Sequence, residues 1–375
     1  MSGEVSEGHL LPTSSTPWER NASLTIDPWP RLRIPAGEIR GVKLRYPPVS
    51  YLPFLIWEYG LGPVSRFHAD PRDCLALGVP WARVRGTQDA IDKALDWLAG
   101  GYEGQHEAFP PRRRRWNNFH LSLNKLRDVE EPDLNDIEYL TQQSVAERSR
   151  FWRGFFAYDV RALDYGYSRW GQSIWGDSSG ARIREGGAKW SFGRVYERAY
   201  VPDEDDLTAL GVWISEDDTG LGWGAFTWEE EGVTWTSSPA ATRSRLMASG
   251  VRAQSCWIRF RDEDDEIIGH RRARIFRGVA ENTSGVYLCD GVRYAPATSA
   301  SKIYIEALTD FGDGYGSTAA QWSLLFGSTV VSPAKPGIQW AQPGQLSGGV
   351  EIMPTACEVE FGRTVRERFK ACLSF

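Results

Sequence analysis

The sequence lacks a cysteine pattern that would hold a metal or a network of disulfides. Its five cysteines are odd in number, widely spaced and free of any Cys-x-x-Cys pair. We therefore predict buried thiols and no metal centre at these positions: Cys74, Cys256, Cys289, Cys357 and Cys372.

Long apolar runs are also missing. The most apolar stretch, YLPFLIWEYGLGPV, is interrupted by Pro53 and Glu58 and stays short of the roughly 18 residues that a membrane helix needs. The first residues, MSGEVSEGHLLPTSS, have neither the basic start nor the apolar core of a signal peptide. We expect no membrane insertion, and synthesis and assembly in a cytoplasm.

Lysine is scarce, with 7 lysines against 36 arginines, and the net charge is −6. Residues 199–242 contain no basic residue and ten acidic ones, a composition that repels DNA. The run Arg112 to Arg115, followed by Trp116, favours an acidic protein partner over nucleic acid. Calcium is the alternative for the acidic loops, with DFGDGYG at 310–316 the better candidate, but no loop has the ligand ladder of a calcium site.

Catalytic signatures are missing as well. The five histidines never stand at HExxH or HxH spacing. Carboxylates are abundant, but no pair is distinguished from the others as a glycosidase would require. We predict no catalytic residue and no cofactor, and we do not expect an enzyme.

The first half of the chain has helical patterns. Ser-Thr-Pro-Trp-Glu-Arg predicts a short helix that begins at Thr16 or Pro17, because a capping residue precedes a proline at the first helical position. Helical spacing recurs between 51 and 101, and residues 136–158 predict a helix that ends in four aromatic residues. Between these regions, and again up to residue 200, glycine, arginine and tryptophan predict linkers and loops.

From about Leu210 the pattern changes to short alternating runs that predict strands, among them GVWIS, GAFTW, GVTWTS, SCWIRFR, SKIYIEAL and CEVEFG. Asp290-Gly291 predicts a two-residue hairpin turn. The predicted fold class is an α+β multidomain chain: an extended arm at 1–50, a small helical domain at 51–102, a linker, helix and loop-rich extension at 103–200, and a β-rich sandwich or barrel at 201–375.

The stretch RVRGTQDAIDKALDWLAGG, residues 83–101, predicts a well-capped helix. Thr87 stands at the N-cap, and a Gly-Gly pair ends the pattern. A phosphate-binding loop would need a second glycine and a Gly-Lys-Ser/Thr motif, and neither occurs. The apolar stripe of this helix consists of Ala90, Ile91, Ala94, Leu95 and Leu98.

The order LLPTSSTPWER, YLPFLIWEYGL, DPRDCLALGV and RVRGTQDAIDKALDWLAG resembles the phage tail protein I family over roughly residues 10–102. Weaker similarity to longer tail proteins of this kind continues to about residue 198. Arg85 and Ala82 stand where that family usually has lysine and histidine, and residues 21–48 are extended and proline-rich where relatives continue a helix.

The resemblance implies a structural wedge subunit of the baseplate of a contractile tail, in a virion assembled in the host cytoplasm. Its implied partners are larger wedge subunits of the baseplate assembly protein J type, joined through a helical bundle, together with hub or sheath-initiating proteins around a six-fold baseplate and a tail fibre. The partner-binding residues that it implies are Leu52, Pro53, Leu55, Trp57, Arg85, Gly86, Thr87, Ala90, Ala94 and Leu95.

Five tryptophans, at 213, 223, 228, 235 and 257, occur at strand-like positions of the β-rich region. If buried they form part of a core, and if exposed they form a docking platform for sugar or protein. Trp223, Trp228 and Trp235 are the candidate platform residues. The alternative function is therefore a glycan- or fibre-binding module of the tail, and a virion-borne hydrolase is the least favoured one.

Overall fold

The computed structural model describes residues 11–28, 31–33, 47–98, 101–108, 116–126, 130–163, 173–175, 177–215, 239–331 and 337–375. The chain divides into two compact units. We call the first the N-unit; it comprises the chain up to Gly101 together with Gln143–Ala146. The second, the β-unit, comprises Tyr102–Gln142 and Glu147–Phe375.

The N-unit is built from short helices. They are α1 (Pro17–Ile26), α2 (Leu52–Glu58), α3 (Pro71–Arg83) and α4 (Gln88–Leu95), with 3-10 turns at Val49–Tyr51 and Gly62–Phe67. Helix α1 begins as predicted, with Thr16 as N-cap and a capping box in which Thr16 and Glu19 bond to each other's backbone N–H groups. The buried core of α2, α3 and α4 is small and consists of Leu52, Leu55, Leu61, Val64, Cys74, Leu75, Val79, Trp81, Ala90, Ile91, Ala94 and Leu95.

The β-unit contains seventeen short and long strands among its described residues. They are β1 (Gly104–Ala108), β2 (Asn118–Leu123), β3 (Arg150–Phe156), β4 (Ala181–Arg182), β5 (Lys189–Tyr200), β6 (Cys256–Arg261), β7 (Ile267–Arg272), β8 (Ile275–Glu281), β9 (Tyr287–Cys289), β10 (Val292–Pro296), β11 (Lys302–Leu308), β12 (Thr318–Phe326), β13 (Thr329–Val330), β14 (Trp340–Ala341), β15 (Leu346–Ser347), β16 (Val350–Glu360) and β17 (Val365–Ser374). Helices α5 (Asp133–Ser144), α6 (Glu204–Ala209) and α7 (Pro239–Arg252) connect them, and the last residues of α5 belong to the N-unit.

A ten-stranded sheet runs through this unit in the order β1-β2-β3-β5-β17-β11-β8-β10-β9, with β4 paired to β5. Strands β2, β3, β5 and β17 are parallel neighbours, and α5 is the crossover between β2 and β3. The other pairs of this sheet are antiparallel. Residues from both halves of the chain therefore build one sheet.

The helix predicted for 136–158 is wrong beyond Ser144. The aromatic residues at its predicted end lie on strand β3, where Phe151, Trp152 and Phe155 are buried. Their spacing of one, three and one residues imitates a helical face, but a strand that is covered on both faces carries apolar residues without alternation.

A second sheet, β14-β7-β6-β12-β16, packs face to face with the first, and the shared core joins Ile305 and Phe369 of one sheet to Phe260 and Trp322 of the other. The α+β multidomain fold class, with N-terminal helices and a C-terminal β-sheet region, is confirmed.

The hairpin turn predicted at Asp290-Gly291 is confirmed between β9 and β10. Both residues have positive φ, 51° and 79°, as a type I′ turn requires. The strand predicted for GVWIS is not formed at Val212–Ser215, and the strands predicted for GAFTW and GVTWTS lie outside the described residues.

Strands β5 and β17 are joined by a buried ion pair as well as by their backbones. Arg194 lies opposite Glu367 in the parallel register, and its Nε donates to both carboxylate oxygens at 3.0 and 3.2 Å. The Glu367 side chain is 1% exposed. Removal of the cation would leave a charged carboxylate buried without its main partner.

We predict that Arg194→Met lowers the free energy of unfolding of the β-unit by roughly 3–5 kcal/mol, because the Glu367 carboxylate loses its counter-charge. Urea unfolding followed by tryptophan fluorescence measures the change. Lys302→Met is the control on the neighbouring strand β11, since its partner Glu281 is 59% exposed; its expected cost is below about 1 kcal/mol. Equal losses in the two variants would contradict the role given to Arg194.

Candidate partner-binding site

Helix α2 has well-defined ends. The 3-10 turn Val49–Tyr51 leads into it, and Pro53 stands in its first turn. At the other end Gly60 has a φ of +68°, and the N–H groups of Gly60 and Leu61 donate to the carbonyls of Trp57 and Ile56. This is a Schellman motif, which stops the helix and turns the chain inward.

The two sides of α2 differ in burial. Leu52 and Leu55 are 2% and 0% exposed and face the core of the N-unit, whereas Phe54 and Trp57 are 68% and 83% exposed. Tyr51, three residues before Phe54, is exposed as well, and the two ring centroids lie 6.2 Å apart. Residues three apart are neighbours on a helix surface. We call Tyr51, Phe54 and Trp57 the aromatic row.

The structure separates the partner-binding residues that the sequence grouped together. Pro53 and Trp57 are exposed, but the other apolar members lie inside the N-unit: Leu52, Leu55, Ala90, Ala94 and Leu95. These five can contact a partner directly only if the unit opens, so their part in binding is to position α2 and α4. Sequence reasoning missed Tyr51 and Phe54. A helical wheel of α2 gives the signal, because a seven-residue helix with apolar residues on every side cannot bury them all.

The turn Arg85, Gly86 and Thr87 uses its polar groups inside the N-unit. The N–H of Gly86 donates to the Ser144 carbonyl at 2.7 Å, and Nε of Arg85 donates to the Gln143 carbonyl at 2.9 Å. Gly86 has a φ of +92°, which favours glycine. The turn therefore holds the segment 143–146, and its part in binding another subunit stays a prediction.

Thr87 is the N-cap of α4, as predicted, but its hydroxyl donates to the Val84 carbonyl at 2.7 Å instead of accepting from the helix. The stripe predicted for this helix is buried at Ala90, Ile91, Ala94 and Leu95, and it packs into the core of the unit. The stretch therefore forms a helix that begins after Thr87 and buries its apolar stripe.

Helix α1 adds a second exposed apolar element to the N-unit. Every side chain of α1 is at least partly exposed, and Trp18 and Ile26 are each 77% exposed. Its local capping box, and not burial, accounts for its helical end. A helix that exposes a tryptophan and an isoleucine in water is typical of an element that packs on another surface.

The tryptophans of the β-rich region divide between the core and the undescribed residues. Trp257 is buried and Trp213 is half-buried. The candidate platform residues Trp223, Trp228 and Trp235 lie outside the described residues, as do Arg112 to Arg115, so the glycan-binding alternative stays a prediction.

The loop 310–316, the better calcium candidate, uses its carboxylates in ion pairs. Asp313 accepts from Nη1 of Arg271 at 2.6 Å, and Asp310 pairs with Arg366. Burial raises the pKa of Asp313, and Arg271 opposes that shift. Within the described part of the chain, no group of three or more His, Cys, Asp and Glu side chains is arranged to hold a metal ion. The arginines supply the positive charge that a cation would bring.

Two buried histidines of the β-unit are neutral at pH 7. Burial, with Arg259 nearby, lowers the pKa of His270 to about 4, and Nε of Arg259 donates to its Nε2 at 3.1 Å. Burial, with Arg153 nearby, lowers the pKa of His120 to about 3. Both rings are structural parts of the sheets, because each lies on a strand and is buried.

Among the described residues, no helix is long and apolar enough to cross a membrane.

We predict that the β-unit loses stability on mild acidification. The unfolded histidines titrate near 6.5 and the folded ones at about 4 and 3, so the unfolded state binds more protons below pH 6.5. Their contribution is complete above that pH and falls by about 2 kcal/mol per histidine between pH 7.5 and 5. Urea unfolding at the two pH values measures it. His270→Gln should show the smaller pH dependence; the same loss in this variant would refute the assignment.

The comparison with known proteins agrees with the N-terminal motifs. Residues 11–148 match the model of a family described as phage tail protein (Tail_P2_I). No curated protein matches the chain. The matched range includes the helices α1 to α4 described above, the aromatic row and the segment 143–146. Residues 11–148 are thus similar to the phage tail protein I family, as the sequence motifs predicted.

Proposed function

We propose that this chain is a wedge component of the baseplate of a contractile tail, and that the N-unit joins it to the larger wedge subunits of the baseplate assembly protein J type. The observation that carries the proposal is the exposure of the aromatic row within the part of the chain that matches the tail family. Tyrosine and tryptophan are enriched among the residues that supply most of the binding energy of protein interfaces.

The core of the N-unit supports this role because it fixes the orientation of α2. Leu52 and Leu55 anchor one side of the helix in the core, so Phe54 and Trp57 stay on the opposite side. A rigid aromatic surface loses little conformational freedom when a partner binds. The ten partner-binding residues that the family resemblance implies thus include the two anchors, Leu52 and Leu55, and one member of the aromatic row, Trp57.

Helix α1 supports the same role. It is preformed by its capping box and exposes Trp18 and Ile26. A capped helix with an unpacked apolar side is suited to packing against a neighbouring helix in an assembly. We propose that α1 and the aromatic row together provide the contacts of the N-unit with the wedge, hub or sheath-initiating proteins of a six-fold baseplate.

The β-unit has its own core, which extends between two sheets and does not require the N-unit helices α1 to α4. We propose that it provides the attachment for a tail fibre. Its independence of the N-unit supports a division of labour in which one unit assembles the wedge and the other binds a second partner.

The proposal is tested by co-expressing the full chain with the large wedge subunit from the same genome and measuring the complex by size exclusion, mass and titration. Trp57→Ala and Phe54→Ala should each weaken binding about 30-fold, or about 2 kcal/mol, as truncation of central interface aromatics does. Their unfolding temperatures should stay within about 2 °C of wild type, because exposed side chains add little to stability.

Two variants serve as controls. Val286→Ala removes a side chain that is 76% exposed in the β-unit and should leave binding unchanged. Leu55→Ala should weaken binding only together with a loss of N-unit stability of about 2–5 kcal/mol, because it creates a cavity. Wild-type affinity in Trp57→Ala, or no complex with the wild-type chain, would contradict the proposal.

A further inference from the structure

The large sheet of the β-unit curls so that its last strand returns to an earlier one. Strand β9 is at the edge of the sheet order, yet it packs against β5 and β17. The N–H of Asp290 donates to Oε2 of Glu197 at 2.7 Å, and the Cys289 thiol donates to the Arg198 carbonyl at 3.7 Å. The β9–β10 hairpin therefore folds over one face of β17 and β5.

Two cysteines lie in one buried cluster under this hairpin. Cys289 and Cys372 are each 1% exposed and belong to one buried cluster with Val279, Tyr294 and Tyr304. Cys372 on β17 lies directly opposite Tyr304 on β11, so their side chains share a face of the sheet. The Tyr304 ring stacks on Tyr287 of β9 at 4.8 Å, and Cys289 follows Tyr287 two residues later on the same side.

The register of β5 and β17 gives a second, separate argument that Cys289 lies near Cys372. Cys289 Sγ contacts the carbonyl of Arg198, and Arg198 pairs with Ala371, the residue before Cys372. Both routes bring Cys289 to the immediate surroundings of Cys372. None of the five cysteines takes part in a disulfide in the structure.

We propose that Cys289 and Cys372 form a redox-active pair, and that a small-molecule disulfide of the glutathione class oxidises them to a disulfide that fastens the β9–β10 hairpin to β17.

The exchange balances as two steps. The Cys289 thiolate attacks one sulfur of the small disulfide, a mixed disulfide forms and one small thiolate leaves. The Cys372 thiolate then attacks the Cys289 sulfur and releases the second small thiolate. Two protein thiols lose their protons and two electrons, and one small disulfide is reduced to two small thiols.

Burial governs the rate of this reaction. It raises the pKa of Cys289 to about 12, with a smaller effect of Cys372 in the same direction. Burial also raises the pKa of Cys372, and a hydrogen bond from Tyr294 partly offsets that shift. Because the thiolate is the nucleophile, the closed hairpin reacts slowly. Strand β9 is three residues long and is an edge strand, so local opening of the hairpin is the step that exposes Cys289.

The prediction that the pair oxidises after the virion leaves the cell rests on the proposed function. The thiol–disulfide exchange itself does not. A tail protein is made in a reducing cytoplasm and then leaves the cell in a virion, where disulfides persist. The disulfide would close the curled sheet covalently after assembly. A failure of the wedge-binding experiment would therefore leave the thiol chemistry testable by itself.

The test uses the full chain in its reduced form. It is incubated with oxidised glutathione, quenched with a maleimide under denaturing conditions and weighed. The number of alkylated thiols should fall from five to three, the intact mass before alkylation should fall by about 2 Da, and a proteolytic digest should contain a peptide pair that joins residues 289 and 372. Mild urea, which favours hairpin opening, should accelerate the change, and the unfolding temperature of the β-unit should rise until dithiothreitol is added.

Cys357→Ser is the matched control, because Cys357 is the least buried of the five cysteines, and this variant should still lose two thiols. Cys289→Ser and Cys372→Ser should form no internal disulfide; Cys372→Ser should stop at the mixed disulfide with glutathione. Five free thiols in the wild-type chain in mild urea, or a glutathione adduct that never resolves, would overturn the proposal. The wild-type measurement decides the matter even if a serine variant fails to fold.

Discussion

The parallel pairing of β5 with β17 is the interaction on which the β-unit depends. Nine residue pairs join these strands, from Val365 opposite Phe192 to Leu373 opposite Tyr200, and the Arg194–Glu367 ion pair lies within them. Through β5 the sheet continues to β3 and β2, which helix α5 connects. Through β17 it continues to the antiparallel strands, which form one layer of the sandwich. Among the described residues it is the one strand pair that links these two groups, which are distant in sequence. The buried carboxylate adds a penalty for any other register.

The N-unit is constrained by its size. Among its described residues, twelve buried apolar side chains form the core, and several of them are alanine or valine. Such a core cannot cover the apolar side chains of α1 and α2 as well, so the aromatic row and Trp18 stay in water. In an isolated domain this exposure would be a liability, whereas in the assembly that we propose it would be the binding surface. The small core and the exposed row are therefore two results of the same shortage of buried volume.

In the β-unit, carboxylates that the sequence offered as calcium ligands form ion pairs with arginines. Asp310 and Asp313 lie in the calcium-candidate loop 310–316, and arginines of two strands, β7 and β17, lie near them. The fold brings these groups together as Arg271–Asp313 and Arg366–Asp310. Glu351 is paired in the same way: two arginines and Ser323 donate hydrogen bonds to it. Burial raises its pKa, but these hydrogen bonds outweigh that effect and lower the pKa to about 2. Arginine-rich, lysine-poor composition thus serves internal pairing of carboxylates.

Local chemistry in the sequence determined the features that depend on a few adjacent residues. The start of α1 at Thr16 and Pro17 and the hairpin at Asp290-Gly291 follow from capping, proline geometry and turn preference; the helix predicted after Thr87 is present without a side-chain cap bond. The family motifs over the N-terminal residues belong to the same class, because they too are local and ordered along the chain.

Tertiary structure alone decided which apolar residues face water and which strands pair across long distances. Leu55 and Trp57 are two residues apart and equally apolar, yet one is buried and the other exposed, because only the packing of α3 and α4 determines the inner side of α2. The aromatic residues of β3 have helical spacing and still form a strand, because consecutive residues of this strand are buried on both faces of the sheet. Cys289 and Cys372 meet because the sheet curls, and curvature depends on contacts between strands that no stretch of sequence contains by itself.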